Sequence, residues 1–182
     1  MRLILLILVA LVAAVPATAQ QQGGFEWKQG GATAPPTPAQ ASRNGFGVFM
    51  LVTPDLDGFW EAWARPSPPQ IGTTDEVRRG RPVYAILLFS GCRPAPDGNC
   101  NVTAELSMTG PNGSPYGDTM RGLVWAGPPA PQYRLQASES SLGFRLEPAD
   151  PLGTYTLRAM VTDNVAGTTL SVEQPVRAVA GE

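Results

Sequence analysis

The chain has 182 residues, 43% of them hydrophobic, with 20 Gly and 19 Pro, and its 13 basic and 15 acidic groups leave a net charge of −2. It contains no His and one Lys, Lys28, which excludes Ser-His-Asp and Cys-His nucleophilic triads and His-bound zinc or iron, and leaves Schiff-base chemistry to a residue in linker-like sequence. The length fits a single domain with a packed core, the Gly and Pro content is close to twice the roughly 12% of average usage, and the charge favours neither nucleic acid nor an anionic membrane as a partner.

Met1-Arg2 is a short positive start, residues 3–15 are apolar, and Ala17-Thr18-Ala19 has the small-x-small pattern read by signal peptidase. Residues 1–19 are therefore expected to be a cleaved signal peptide. Their 13-residue apolar core is shorter than the roughly 20 residues of a membrane span. The expectation is a periplasmic or secreted protein with no membrane insertion after cleavage. Residues 20–43 are rich in Gln, Gly, Pro and Ala, a composition that buries too little apolar surface to offset chain entropy, and read as a flexible tether. Phe25 and Trp27 are its two aromatic residues.

From residue 44 to about 180 the pattern is all-β, with short apolar runs separated by Pro, Gly, Asp and Asn clusters. Strands are expected at 46–52, 58–64, 83–89, 101–108 and 132–137. Further strands carry Leu142, Phe144 and Leu146, then Tyr155, Leu157, Ala159 and Val161, then Leu170, Val172 and Val176, for eight or nine in all. A less regular stretch holds Tyr116, Leu123, Val124 and Trp125. No helix longer than one turn is expected. The run 83–89 is apolar on both faces, with Val83, Ala85, Leu87 and Phe89 on one and Tyr84, Ile86 and Leu88 on the other, so it is covered on both sides. Either the segment 46–63 folds over its outer face or a partner does.

Cys92 and Cys100 are the only cysteines, and in an exported chain their even number and close spacing read as a disulfide across a turn-rich loop. Such a closure stabilises by roughly 2.5 kcal/mol in the chain-entropy model. Two thiolates without His make a poor metal site, and the spacing is not Cys-x-x-Cys. No cofactor or metal is expected.

The segment Asp150-Pro-Leu-Gly153-Thr-Tyr155-Thr-Leu157 resembles the tyrosine corner of immunoglobulin-like sandwiches, in which Asp-x-Gly-x-Tyr opens the penultimate strand and the phenol bonds back to the chain. Asp150 sits one residue further upstream than in antibodies, Leu157 stands where antibody domains carry the second core cysteine, and the 101–108 strand has no core Trp. The resemblance is thus to the wider class of bacterial-type immunoglobulin-like or fibronectin-III-like modules. It implies an antiparallel β-sandwich, a scaffold that serves many functions.

Phe59-Trp60-Glu61-Ala62-Trp63 holds two of the four Trp residues. On a strand Phe59 and Trp63 share one face and Trp60 takes the other, so one set covers the domain while the other is free for a sugar, peptide or protein. Asp55 and Asp57 form a fragment of a calcium loop without its remaining ligands and read as a turn. Arg78-Arg79-Gly80-Arg81 is the one basic cluster and reads as a solvated strand edge. No acidic pair is singled out for glycoside hydrolysis. The Ala, Pro and Arg usage points to a high-GC bacterium. The expectation is a non-enzymatic binding or assembly module of the bacterial envelope that contacts another envelope or extracellular protein. The alternative is a carbohydrate-binding domain using Trp60 and Trp63.

Overall fold

Strands and one short helix make up the computed structural model, which describes residues 28–29, 32–33, 35, 37–66, 69–132 and 134–181. The expected signal peptide, and Phe25 and Trp27 of the expected tether, lie outside the described residues. In chain order the elements are β1 (Lys28–Gln29), β2 (Ala32–Thr33), β3 (Gln40–Arg43), β4 (Phe46–Thr53), α1 (Leu56–Trp63), β5 (Glu76–Arg78), β6 (Pro82–Ser90) and β7 (Val102–Thr109). They continue with β8 (Met120–Trp125), β9 (Gln136–Ala137), β10 (Leu142–Arg145), β11 (Gly153–Asp163) and β12 (Thr168–Val179).

Among the described residues β1 and β2 pair only with each other. The remaining strands form two five-stranded sheets. In one, β6 lies between β4 and β10, β4 carries β3 on its far side, and β9 also pairs with β6. In the other the order is β5, β12, β11, β7, β8. All pairings are antiparallel except that of β5 with β12, where Val77 lies opposite Ala178. The sheets face each other across Val48, Met50 and Val52 of β4, Val83, Ala85, Leu87 and Phe89 of β6, and Tyr155, Leu157, Ala159 and Val161 of β11. Strand β11 shows why such a sequence makes a sandwich. Its Tyr155, Leu157, Ala159 and Val161 are buried while the intervening Arg158 and Met160 are exposed, so burial follows the alternation of the pleat. The connectivity corresponds to immunoglobulin strands A, B and E (β4, β6, β10) packed on C′, C, F and G (β8, β7, β11, β12). The chain is an immunoglobulin-like β-sandwich.

Four local expectations are corrected. The segment 58–64, expected as a strand, is part of helix α1. Residues 40–43, expected in the tether, form β3 and pair with β4 from Gln40↔Phe49 to Arg43↔Phe46, so paired residues of the sandwich begin before 44. The segment 46–63 does not cover β6 as a unit: β4 pairs edge to edge with β6, from Gly47↔Ser90 to Thr53↔Tyr84, and only α1 lies over its face. The strand expected over 132–137 is confined to Gln136–Ala137.

At the start of β11 the Tyr155 hydroxyl donates to the Pro151 carbonyl at 3.0 Å. Asp150 serves the same corner through another residue. Its Oδ2 accepts from the Tyr116 hydroxyl and from the Glu147 backbone N–H at 2.6 Å. The two phenol rings meet edge to face, centroids 5.2 Å apart. Burial, reinforced by the hydrogen bond to Asp150, pushes the Tyr116 phenol up to about 12, and burial also raises that of Tyr155. A folded-state value above the unfolded one favours the folded chain only while the phenol is neutral. This contribution is therefore complete below about pH 10 and is lost as pH rises towards 12. Phenolate absorbance should show Tyr116 ionising about two units above a free tyrosine, with the denaturation midpoint falling over that interval. Ionisation of every tyrosine near pH 10 would contradict the buried corner.

Candidate interaction surface

The aromatic cluster sits on α1 because the local sequence favours a helix over a strand. Asp55 caps it, its Oδ1 accepting the Gly58 N–H at 2.9 Å, and Asp57 places negative charge in the first turn. A Cβ on residue 58 would lie 2.2 Å from Asp55 Oδ2, so any other side chain would push the capping carboxylate aside. Leu56, Phe59, Trp60 and Trp63 recur at the i, i+3, i+4, i+7 spacing of one helical face. That face packs on Leu51, Ile86, Leu88 and Ala137, the outer side of the β4–β6 sheet. Phe59 is buried; Trp60 and Trp63 are half-buried. Phe59 stacks on Trp63 with centroids 5.6 Å apart and meets Trp60 edge-on at 4.9 Å. The helix brings all three rings together, and the chain itself covers Ile86 and Leu88.

Among the described residues the other sheet has no such cover. The outward side chains of β7, β8, β11 and β12 include Met160 and Leu123, 47% and 48% exposed. Beside them Arg121 Nε donates to Glu105 at 2.7 Å and Arg158 Nε to Glu173 at 2.9 Å, so the charged groups of this face are paired across strands and locally neutral. Thr103, Glu105, Arg121, Leu123, Met160 and Thr162 line a depression of about 550 Å³. It borders β8, whose first four residues are exposed in succession. β8 is bound to β7 on one side only. On its other side Val124 accepts from the Glu139 N–H at 3.0 Å, and among the described residues no backbone group pairs with residues 120–123 there. Edge strands of this kind carry unpaired N–H and C=O groups that another strand can satisfy.

None of these residues was assigned a binding role from sequence, where Leu123 was placed only in a less regular stretch, although Met160 carried a signal. It is a large apolar residue on the solvent phase of an otherwise strict alternation.

The end of the sandwich next to β8 is held rigidly. Cys92 and Cys100 form a disulfide with Cα atoms 6.0 Å apart. Within its loop the Ala95 N–H donates to Asn99 O at 2.8 Å and the Gly98 N–H to Ala95 O at 2.9 Å. The Asn99 N–H holds the Asp97 carboxyl below the usual carboxylate range. Asp163, fully buried, accepts the Arg93 N–H at 2.7 Å and those of Val165 and Ala166 at 3.1 Å. One carboxylate thus fastens the disulfide loop to the β11–β12 turn.

No family model matches the chain, and no curated protein matches it. Among solved structures it is similar to the CARDB domain of a Pyrococcus furiosus protein in complex with di-metal ions, at 14% identity and a TM-score of 0.38, over 60% of this chain and 87% of that one. It is also similar to a Niemann-Pick type C2 protein from the Japanese carpenter ant, at 11% identity and a TM-score of 0.36, over 57% and 79%. A family 123 glycoside hydrolase from Clostridium perfringens matches at 8% identity and a TM-score of 0.43, over 73% of this chain and 27% of the hydrolase. Among the described residues no helix is long and apolar enough to cross a membrane.

Proposed function

We propose that the chain is an exported, non-enzymatic binding or assembly module of the bacterial envelope, of the bacterial-type immunoglobulin-like or fibronectin-III-like kind, and that it takes an extended segment of a partner protein along β8. The open edge at residues 120–123, beside exposed Leu123 and Met160, carries this reading. An added strand would satisfy the free backbone groups and lay alternate side chains against the neutral face, the chemistry of strand addition. The disulfide and the apolar amino-terminal run support export. The non-enzymatic part is supported by how the polar groups are used. The cysteines are bonded to each other, Asp55 caps a helix, Asp150 and Asp163 hold backbone N–H groups, and Glu76, Glu105 and Glu173 are ion-paired.

Crosslinked pull-down with the mature domain from envelope extract, followed by titration of the captured protein's binding segment, tests the reading. The segment should slow hydrogen exchange at residues 120–123, and Leu123→Lys, a charge placed on the edge, should weaken binding at least tenfold, about 1.4 kcal/mol. Equal affinity for Leu123→Lys, or no captured protein above control, overturns it.

A further inference from the structure

The turn between β5 and β6 divides the basic cluster into one half-buried tie, Arg79, and two cations that are free among the described residues. The Arg81 N–H donates to Arg78 O at 3.1 Å, and Gly80 has φ +82°, the positive value a type II turn requires at its third residue. Arg78 and Arg81 therefore stand at the two ends of a single turn. Between them Arg79 anchors the turn to the body of the domain. Its N–H donates to Val179 O at 3.1 Å, its Nη1 donates to Asp150 O at 2.9 Å, and the Gly80 N–H donates to Leu146 O at 2.7 Å. The side chains of Arg78 and Arg81 have no hydrogen-bond or ion-pair partner among the described residues, yet both line one cleft of about 410 Å³ between the sheets. Glu76, the one acid on its wall, is already ion-paired with Arg177. Two uncompensated guanidinium groups thus face one space in a chain whose net charge is −2.

We infer that this cleft binds an organic oxyanion, a phosphate or carboxylate head carried on a compact apolar body. Guanidinium groups are matched in shape and charge to such heads, which they can hold with paired hydrogen bonds. The volume falls within the range of small-molecule sites and exceeds what an anionic head alone would fill. Pro54, Val83 and Val179 supply an apolar wall for the rest of the ligand. The site lies on strands other than β8, so its occupancy and the strand-addition reading stand or fall separately.

Calorimetric titration of the mature protein at low salt, with phenyl phosphate, benzoate, inorganic phosphate and benzyl alcohol as probes, tests the inference. Phenyl phosphate or benzoate should bind at least tenfold more tightly than both inorganic phosphate and benzyl alcohol, and the tighter of the two identifies the head group. Arg78→Gln and Arg81→Gln should each weaken that binding tenfold or more. Arg134→Gln, which removes a cation just ahead of β9, a strand paired with the Leu88 end of β6 and not with the Pro82–Val83 end at the cleft, should leave it unchanged. Circular dichroism should show all three variants folded. The inference is overturned by the absence of binding at millimolar probe, by equal binding to the Arg78→Gln/Arg81→Gln double variant, or by an equal loss in Arg134→Gln. Inorganic phosphate or benzyl alcohol binding as tightly as the better organic anion overturns it too.

Discussion

Tyr155→Ala should cost about 3–5 kcal/mol, as large-to-small changes of buried aromatic residues do. Tyr155 heads the fully buried side chains by volume, and it stands where the start of β11 meets Tyr116. Truncation removes the ring contact with Tyr116 and the bond to the Pro151 carbonyl, and it leaves a cavity that the surrounding β strands, fixed by their ladders, can only partly close. Tyr155→Phe keeps the ring and loses one hydrogen bond, worth about 1 kcal/mol. Urea denaturation of the two variants separates the contributions, because the slope should stay constant while the midpoint falls in the order wild type, Phe, Ala. With domain stabilities typically about 5–15 kcal/mol, the Ala variant would lose a large part of its margin. A loss below 1 kcal/mol for Tyr155→Ala would mean that the corner is not part of the core.

Asp163→Ala should cost about 3 kcal/mol by a different route. It removes little volume but leaves the N–H groups of Arg93, Val165 and Ala166 without their acceptor, and a buried donor left unpaired costs about 1–3 kcal/mol. Partial access of water to these three donors keeps the sum near the lower end. Asp163→Asn retains one acceptor oxygen and should lose roughly half as much. Hydrogen exchange gives the decisive readout. The amides of Arg93, Val165 and Ala166 should all speed up in Asp163→Ala, because one carboxylate protects all three. Faster exchange confined to Val165 and Ala166 would show that the disulfide loop is held by other means.

Strands with a strict alternation and a buried face were legible in the sequence. Tyr155, Leu157, Ala159 and Val161 marked β11, and the alternation of Val102, Ala104, Leu106 and Met108 marked β7. The corner was legible because Gly153, with φ +136°, and Tyr155 are local requirements. Helix α1 was not, since three aromatics within eight residues satisfy a period of two almost as well as one of 3.6. The deciding signal was Asp55 ahead of Leu56, Phe59, Trp60 and Trp63. β5 escaped notice because three residues carry no period and its partner lies about a hundred positions away. β3 was hidden by composition: Gln40, Ala41, Ser42 and Arg43 have no apolar pattern, and their order comes from β4. The open face of the second sheet was obscured because Gly122 and Arg121 interrupt any apolar run in β8. The cleft of Arg78 and Arg81 depended on a turn that sends adjacent arginines in opposite directions.

Strand β12 also sets the timing of assembly. It receives β5 along Glu76–Arg78, its Glu173 N–H donates to Pro38 O at 2.7 Å, and its Arg177 N–H donates to Asp75 O at 2.6 Å. The earliest parts of the sandwich are thus fastened by its last strand. In a chain made from its amino terminus, the β4–β6 pairing can form early, but β5 waits for a partner about a hundred residues downstream. Closure of the sandwich therefore waits until β12 is in place, with the slow folding expected of non-local β pairing.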